Sequence, residues 1–383
     1  MMKAVLIVSV LLTGAALAAQ SPSSQDPSAT IAAANAVLVR DPANRDAAES
    51  KISALLTQQQ FTGALAAYDT YVAALHKPDV SLLAIIARAD LTRLARPGPD
   101  RQVLVASALE RLARDGQADA LRALKQAAAS DPSSARDALA PVLSLVRLGD
   151  KDATTRLGAA LDAVASDQRA EIIGAIQDAG ATSLGPKLVQ RLRDADPPVR
   201  TAAAIAVGIL QIKGAVPGLQ TMFDTDAPAQ KMFAAVALKQ LGQTSPDAYL
   251  ATLLASPVPD LRLIAARAYL SAKSPQWDTL VRALLSDRNE VNRIHAAEVM
   301  ACCDKNAARA TLVTVLGSAN PAVRMEAARV LEDKDLADVG VARRLLGDPF
   351  DGVRLHGAGA VLKLLKTSAA PGRGGVGTVG PRG

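Results

Sequence analysis

The stretch Asn320-Pro321-Ala322-Val323-Arg324-Met325-Glu326-Ala327-Ala328 decides the fold. An Asn followed by Pro starts a helix. The Asn side chain can accept a backbone N–H that the first turn leaves unbonded, and Pro fits where its missing N–H is not needed. A basic residue follows, and then an alanine pair. The same wording surrounds Arg200, Lys231, Arg262, Arg293, Arg324 and Arg354, which lie 31, 31, 31, 31 and 30 residues apart. The small pairs are Ala203-Ala204, Ala234-Ala235, Ala265-Ala266, Ala296-Ala297, Ala327-Ala328 and, less strictly, Gly357-Ala358. Apolar helical segments such as Leu184 to Leu192, Tyr249 to Leu254 and Leu312 to Leu316 precede each turn. Each unit reads helix A, turn, helix B. Such hairpins at a fixed period bury their apolar faces by stacking. The sequence therefore predicts an all-α fold, a right-handed α-solenoid of stacked helical hairpins.

The pattern resembles HEAT repeats, especially the short HEAT-like repeats of phycobilisome lyases. The residues that carry it are Asp196-Pro197-Pro198-Val199-Arg200, the Asn320 to Ala328 stretch, and Asp348 to Arg354. The solenoid is assigned to residues 117–366. Counting back one period lands on Arg169, where Ile172-Ile173 replaces the alanine pair. Lys231 replaces arginine, and its turn is irregular. Residues 31–116 form a separate N-terminal helical region in this reading. There Asp41-Pro42-Ala43-Asn44 ends a helix, and Phe61, Ala64, Leu65 and Tyr68 follow at spacings resembling a tetratricopeptide repeat. Generic helical hairpins explain that region equally well.

Helical geometry assigns the basic column a structural role. At about 100° per residue, the alanine pair and the residue seven later flank the basic position, which lies within the buried stripe. A cation there needs a partner. Turn acids, among them Asp194, Asp196, Asp287, Asp348 and Asp351, or turn carbonyls, supply one. Arg200, Lys231, Arg262, Arg293, Arg324 and Arg354 thus read as a structural ladder between units.

The same arithmetic places residues two, five and nine after the basic position on the opposite side of helix B. The resemblance implies that B helices line the concave face. That ridge is apolar at first and charged later. Its candidate partner-binding residues are Ala202, Ile205, Ile209, Phe233, Val236, Ile264, Arg267, Glu298 and Arg329. Exposed apolar patches mark interaction sites. The competing reading is that curvature or the N-terminal helices cover the patch.

Several function classes find little support. Three of the positive charges, Lys3, Arg373 and Arg382, lie at the two ends, leaving +3 between them from a formal total of +6. That argues against nucleic acid. Aromatic residues are 2% of the chain, too few to line a large pocket. His295 and His356 share a column two units apart, about 20 Å by helix diameters, and cannot hold one metal ion. Cys302 and Cys303 are adjacent, so they are not a disulfide scaffold. On a continued helix Cys302 joins the ridge beside His295 and Cys303 turns to the core. There is no Gly-x-Ser-x-Gly or His-Glu-x-x-His motif. No metal, cofactor or enzymatic activity is expected.

The ends carry their own signals. Lys3, the apolar run Ala4 to Leu12 and Ala16-Leu17-Ala18 read as a signal peptide over residues 1–19. The run is short for a spanning helix, the alternative being a membrane anchor. Residues 20–30 read as a linker, and 367–383, with six glycines, as a disordered tail. The expectation is an exported, periplasmic or secreted, non-catalytic scaffold that binds a protein or an extended peptide, with no nucleic acid and no membrane span after cleavage. The lyase resemblance implies the alternative, an accessory subunit or enzyme of lyase type.

Overall fold

Each B helix begins where an Asp, Asn or Pro-containing turn interrupts the apolar pattern, and the computed structural model shows why the turn is rigid. The structure describes residues 26–98, 100–129, 135–268 and 275–369, with the side chains of 135–138, 166–167, 259, 267, 275–277, 280 and 369 left aside. The proposed signal peptide, residues 20–25 and the tail from 370 lie outside the described residues. All regular elements among them are helical.

Two compact units divide at Lys77 and Pro78. The first holds α1 (Pro27–Arg40), α2 (Arg45–Thr57) and α3 (Phe61–Leu75). Its core includes Ile52, Ala64, Leu65, Tyr68 and Tyr71. Asn44 caps α2 by accepting the Ala47 N–H at 3.0 Å. Part of the expected linker is helical. Asp26 accepts the Ser28 N–H at 3.0 Å, so Asp26-Pro27 is itself a helix start.

The second unit opens with α4 (Val80–Leu94), α5 (Gln102–Arg114), α6 (Ala118–Ala129), α7 (Ala135–Arg147), α8 (Lys151–Ala163) and α9 (Ser166–Asp178). The A helices of the periodic region are α10 (Gly185–Arg191), then α12 (Val216–Thr225), α14 (Asp247–Leu254), α16 (Pro275–Leu284), α18 (Lys305–Val315) and α20 (Val339–Leu346). The B helices are α11 (Pro197–Ile209), α13 (Pro228–Gln240), α15 (Pro259–Ala268), α17 (Glu290–Met300), α19 (Pro321–Asp333) and α21 (Asp351–Ala369). Every B helix packs on its own A helix, and successive B helices pack on one another from α11 to α21. This is an all-α solenoid. The five strict alanine pairs, from Ala203-Ala204 to Ala327-Ala328, are wholly buried. A residue without a long side chain lets helices approach, and Gly208 uses this fully. A Cβ there would lie 3.0 Å from the Ala237 Cα.

The basic column holds the turns. The Nη1 groups of Arg200, Arg262, Arg293, Arg324 and Arg354 donate to the carbonyl six residues back, on Asp194, Ser256, Asp287, Ser318 and Asp348, at 2.7 to 3.0 Å. Those same five side chains accept the backbone N–H two residues on, at 2.8 to 3.2 Å. One residue per turn is thus tied through both its carbonyl and its side chain. Three arginines also reach the next turn: Arg169 Nη1 to Asp194 at 2.7 Å, Arg200 Nε to Asp226 at 2.8 Å, and Arg324 to Asp348 at 2.9 and 3.1 Å. Burial alone would raise the Asp348 carboxyl, but Arg324 and the Phe350 N–H hold it below the usual carboxylate range.

Lys231 departs from this scheme. Its Nζ lies 4.6 Å from the Phe223 ring centre and 5.6 Å from that of Tyr249. Those rings meet edge to face at 5.7 Å. A lysine cannot fork to two carbonyls as a guanidinium does, and here its charge rests on aromatic faces. The N-cap residue of α13 is Ala227, whose side chain can make no cap bond.

The chain from Pro78 does not end in a free last repeat. Helix α21 packs along α4 and touches α5, closing a circuit of helices. Residues 78–116, grouped by sequence with the N-terminal region, therefore stack as part of the solenoid. Their buried face, with Leu82, Leu83, Ile86, Leu91 and Leu94, fits α21 as a further repeat would. Helix α21 also runs three residues past the expected boundary, to Ala369.

Replacing Arg324 by Met keeps the stem and removes the charge-assisted bonds. It is expected to destabilise the fold by about 2 kcal/mol, whereas Lys231→Met costs about 1 kcal/mol or less. Urea midpoints at constant slope measure both, and equal effects would refute the distinction.

Candidate functional site: the inner helix ridge

The ridge opposite the basic column is formed by successive B helices, so residues one repeat apart are neighbours. Arg329 Nη2 lies 3.4 Å from Glu298, which holds the same position 31 residues earlier. Arg329 also binds Glu326 at 2.7 Å and Asp333 at 2.9 Å. The Glu326 bond, helped by Glu298 and Asp333, strengthens the charged form of Arg329 and raises its pKa. Glu298 and Arg329, expected as partner contacts, are thus engaged with each other.

Asp178 stands nine residues after Arg169, the ridge position, and its carboxyl feels Arg147, Arg329, Asp333 and Glu326. Desolvation raises its pKa against the pull of the two arginines. Asp178 of α9 thus feels the charged groups at the α19 end of the ridge.

The circuit is closed by a buried ion pair that the sequence reading did not find. Arg111 of α5 grips Glu332 of α19 with two hydrogen bonds, Nε to Oε1 at 3.0 Å and Nη2 to Oε2 at 2.5 Å. His356 Nδ1 of α21 lies 2.6 Å from the same Oε2. Burial works against ionised Glu332, but the Arg111 charge and the His356 hydrogen bond prevail and bring its pKa to about 2. Gly359, another ridge position, is required here. A Cβ at residue 359 would overlap the Glu332 carboxylate and come within 2.7 Å of the Arg111 Nε.

A second cluster lies beside it. Arg354, the last member of the column, meets Asp90 of α4, Nε to Oδ2 at 3.4 Å. Asp90 is fully buried, and its Oδ1 accepts from Arg93 Nε and Nη2 at 2.9 and 2.7 Å. Burial outweighs these bonds and raises the Asp90 pKa. Asp351 binds Arg354 and accepts from Arg101 at 3.1 Å. Asp90 thus stands where the turn of a following repeat would stand. Sequence periodicity could not show this, because α4 carries no copy of the motif.

The apolar part of the ridge is mixed. Ile209 is 49% exposed. Ala202, Ile205 and Phe233 are half-buried. Val236 is buried with Ala235, Leu250, Ala265 and Ala268, and Ile264 packs against the same cluster. Val236 is therefore core, not a contact residue. The Arg267 side chain lies outside the described residues. Helix α17 ends at Met300, so Cys303 does not turn to the core, and both cysteines are exposed. No group of three or more His, Cys, Asp or Glu side chains that could hold a metal ion occurs among the described residues. Nor is any helix there long and apolar enough to cross a membrane.

Comparison with known proteins agrees with this architecture. Residues 185–271 and 278–363 match the family model for HEAT repeats, so the chain carries HEAT repeats over those two stretches. No curated protein matches the sequence. Among solved structures, the CpcE–CpcF complex of phycocyanin lyase from Nostoc sp. PCC7120 is similar, at 20% identity and a TM-score of 0.42 over 62% of this chain and 94% of that one. Human deoxyhypusine hydroxylase in complex with glycerol gives 18% identity and a TM-score of 0.33 over 67% and 99%. YibA of E. coli gives 18% and 0.27 over 58% and 85%. At these scores the likenesses bear on neither substrate nor partner.

Two outcomes test the closing pair. Glu332 ionises more readily folded than unfolded, so its contribution is complete above its ordinary pKa of 4.5 and disappears as pH falls towards 2. Over that window the native chain is expected to lose about 3 kcal/mol relative to Glu332→Gln. Chemical unfolding across the range measures it, and parallel curves would refute it. Gly359→Ala is expected to destabilise by more than about 2 kcal/mol by displacing a buried ion pair. Gly174→Ala, where a Cβ meets nothing within 4 Å, is expected to be neutral or stabilising. Equal thermal midpoints for the two variants would refute the steric account.

Proposed function

We propose that the chain is an exported, non-catalytic scaffold that binds a protein or an extended peptide through the apolar end of its B-helix ridge. One observation carries this reading: Ile209 keeps 49% of its surface exposed on a ridge where Ile205 and, on the next helix, Phe233 are also left partly wet. Large apolar side chains grouped in contact with water favour a partner that covers them. The HEAT repeats support the reading further, since their stacked helices present side chains from neighbouring units at a fixed spacing. Glu298 and Arg329, held in their own ion-pair network, set charge at the far end of the ridge and do not anchor. The non-catalytic part is supported by the charged groups inside the circuit, Arg111, Glu332, Arg354 and Asp90, each of which holds helices together. Export is supported by the leader-like order of Lys3, the apolar run from Ala4 to Leu12, and Ala16-Leu17-Ala18.

A photocrosslinking side chain placed at residue 209 in the native cell tests the whole reading. One discrete adduct is expected, recovered in the periplasmic or culture fraction, and not obtained from residue 103, where Val103 is 56% exposed on α5. Identical adducts from both positions would remove the ridge. An adduct found in the cytoplasmic fraction alone would remove export.

A further inference from the structure

The two cysteines lie just past the end of α17. Cysteine is among the residues most often buried, yet both are exposed, in the turn that joins α17 to α18. Neither belongs to the core cluster around them. Their sulfurs lie 2.7 Å apart, and the Cys302 Sγ is 3.3 Å from the Val299 carbonyl, which keeps it folded back against the helix end. No other cysteine occurs in the chain. A bond made within one molecule can therefore join only these two.

We infer that Cys302 and Cys303 form a redox site, a vicinal dithiol that a small-molecule or protein disulfide converts to a Cys302–Cys303 disulfide. The exchange proceeds in two balanced steps. One thiolate of the pair attacks the oxidant disulfide, forming a mixed disulfide and releasing the first thiol. The neighbouring thiolate then attacks the protein sulfur of that mixed disulfide, closing the eight-membered ring and expelling the second thiol. Two electrons pass from the pair to the oxidant, and the two cysteine protons end on the two released thiols. The second step is intramolecular between sulfurs already in contact, so it outruns attack by a further oxidant molecule.

Ring closure changes the peptide between the two residues, and Asp304 follows directly. Asp304 caps α18 by accepting the Ala307 N–H at 2.9 Å and receives Arg282 Nη1 of α16 at 2.9 Å. The oxidation state of the pair thereby acts on the joint between three helices.

The test uses the reduced full chain, incubated with excess glutathione disulfide at about pH 8, near the ordinary thiol pKa, then quenched with iodoacetamide for intact and peptide mass spectrometry. The expected product lacks two hydrogen atoms, carries neither glutathione nor alkyl group, and regains two alkylation sites after dithiothreitol. Cys303→Ser and Cys302→Ser are each expected to stop at a single glutathione adduct. A native chain that remains doubly alkylated, accumulates stable glutathione adducts, or forms disulfide-linked dimers would overturn the assignment.

Discussion

A guanidinium bonded to the carbonyl six residues before it is the constraint on which this solenoid depends. A turn between two helices leaves carbonyls of the first and amides of the second without helical partners. The column arginine answers the first need and the turn's Asp or Ser the second, and both act on the same residue. The hairpin angle is then fixed locally, before any neighbour is present. Where the arginine extends to the following turn, as Arg324 does to Asp348, the fixed angle is passed on. Repetition of one bonded corner sets how the stack curves.

Curvature sustained in this way brings the two ends of the second unit together. The contact is a hydrophobic seam with ionic groups embedded in it. The two ion pairs behave differently. Glu332 is bonded on both oxygens and stays ionised well into acid. Asp90 pays more for its burial than its partners return, so its carboxyl is held towards the neutral form. The first therefore secures the closure at neutral pH, and the second fixes where α4 sits along α21.

The fold of the periodic region was legible because each corner repeats the same few letters. The five strict alanine pairs lie where a helical projection puts them, and the column arginines, though not Lys231, hold the turns beside them. Of the polar residues six before the arginines, Asp194, Asp287 and Asp348 stood out as turn acids, while Ser256 and Ser318 went unread. The double role of these five residues was hidden, since it depends on the turn's backbone. Val236 shows the limit of the projection. An angle names a side of one helix, while burial depends on the next helix. Closure was hidden more deeply. Arg111 and Glu332 are 221 residues apart and belong to no shared motif. The need for glycine at 359 was likewise hidden, because it comes from the Glu332 carboxylate beside it.

The seam between α4 and α21 also bears on how the molecule comes apart. An open solenoid can fray from its terminal hairpins, because these have a neighbour on one side alone. Here the first and last hairpins of the second unit are each other's neighbours. No hairpin is left to peel away at little expense, and loss of any one exposes two faces at once. The repeats from α4 to α21 are thus bound into a single cooperative body, in which the termini of a linear array have been abolished.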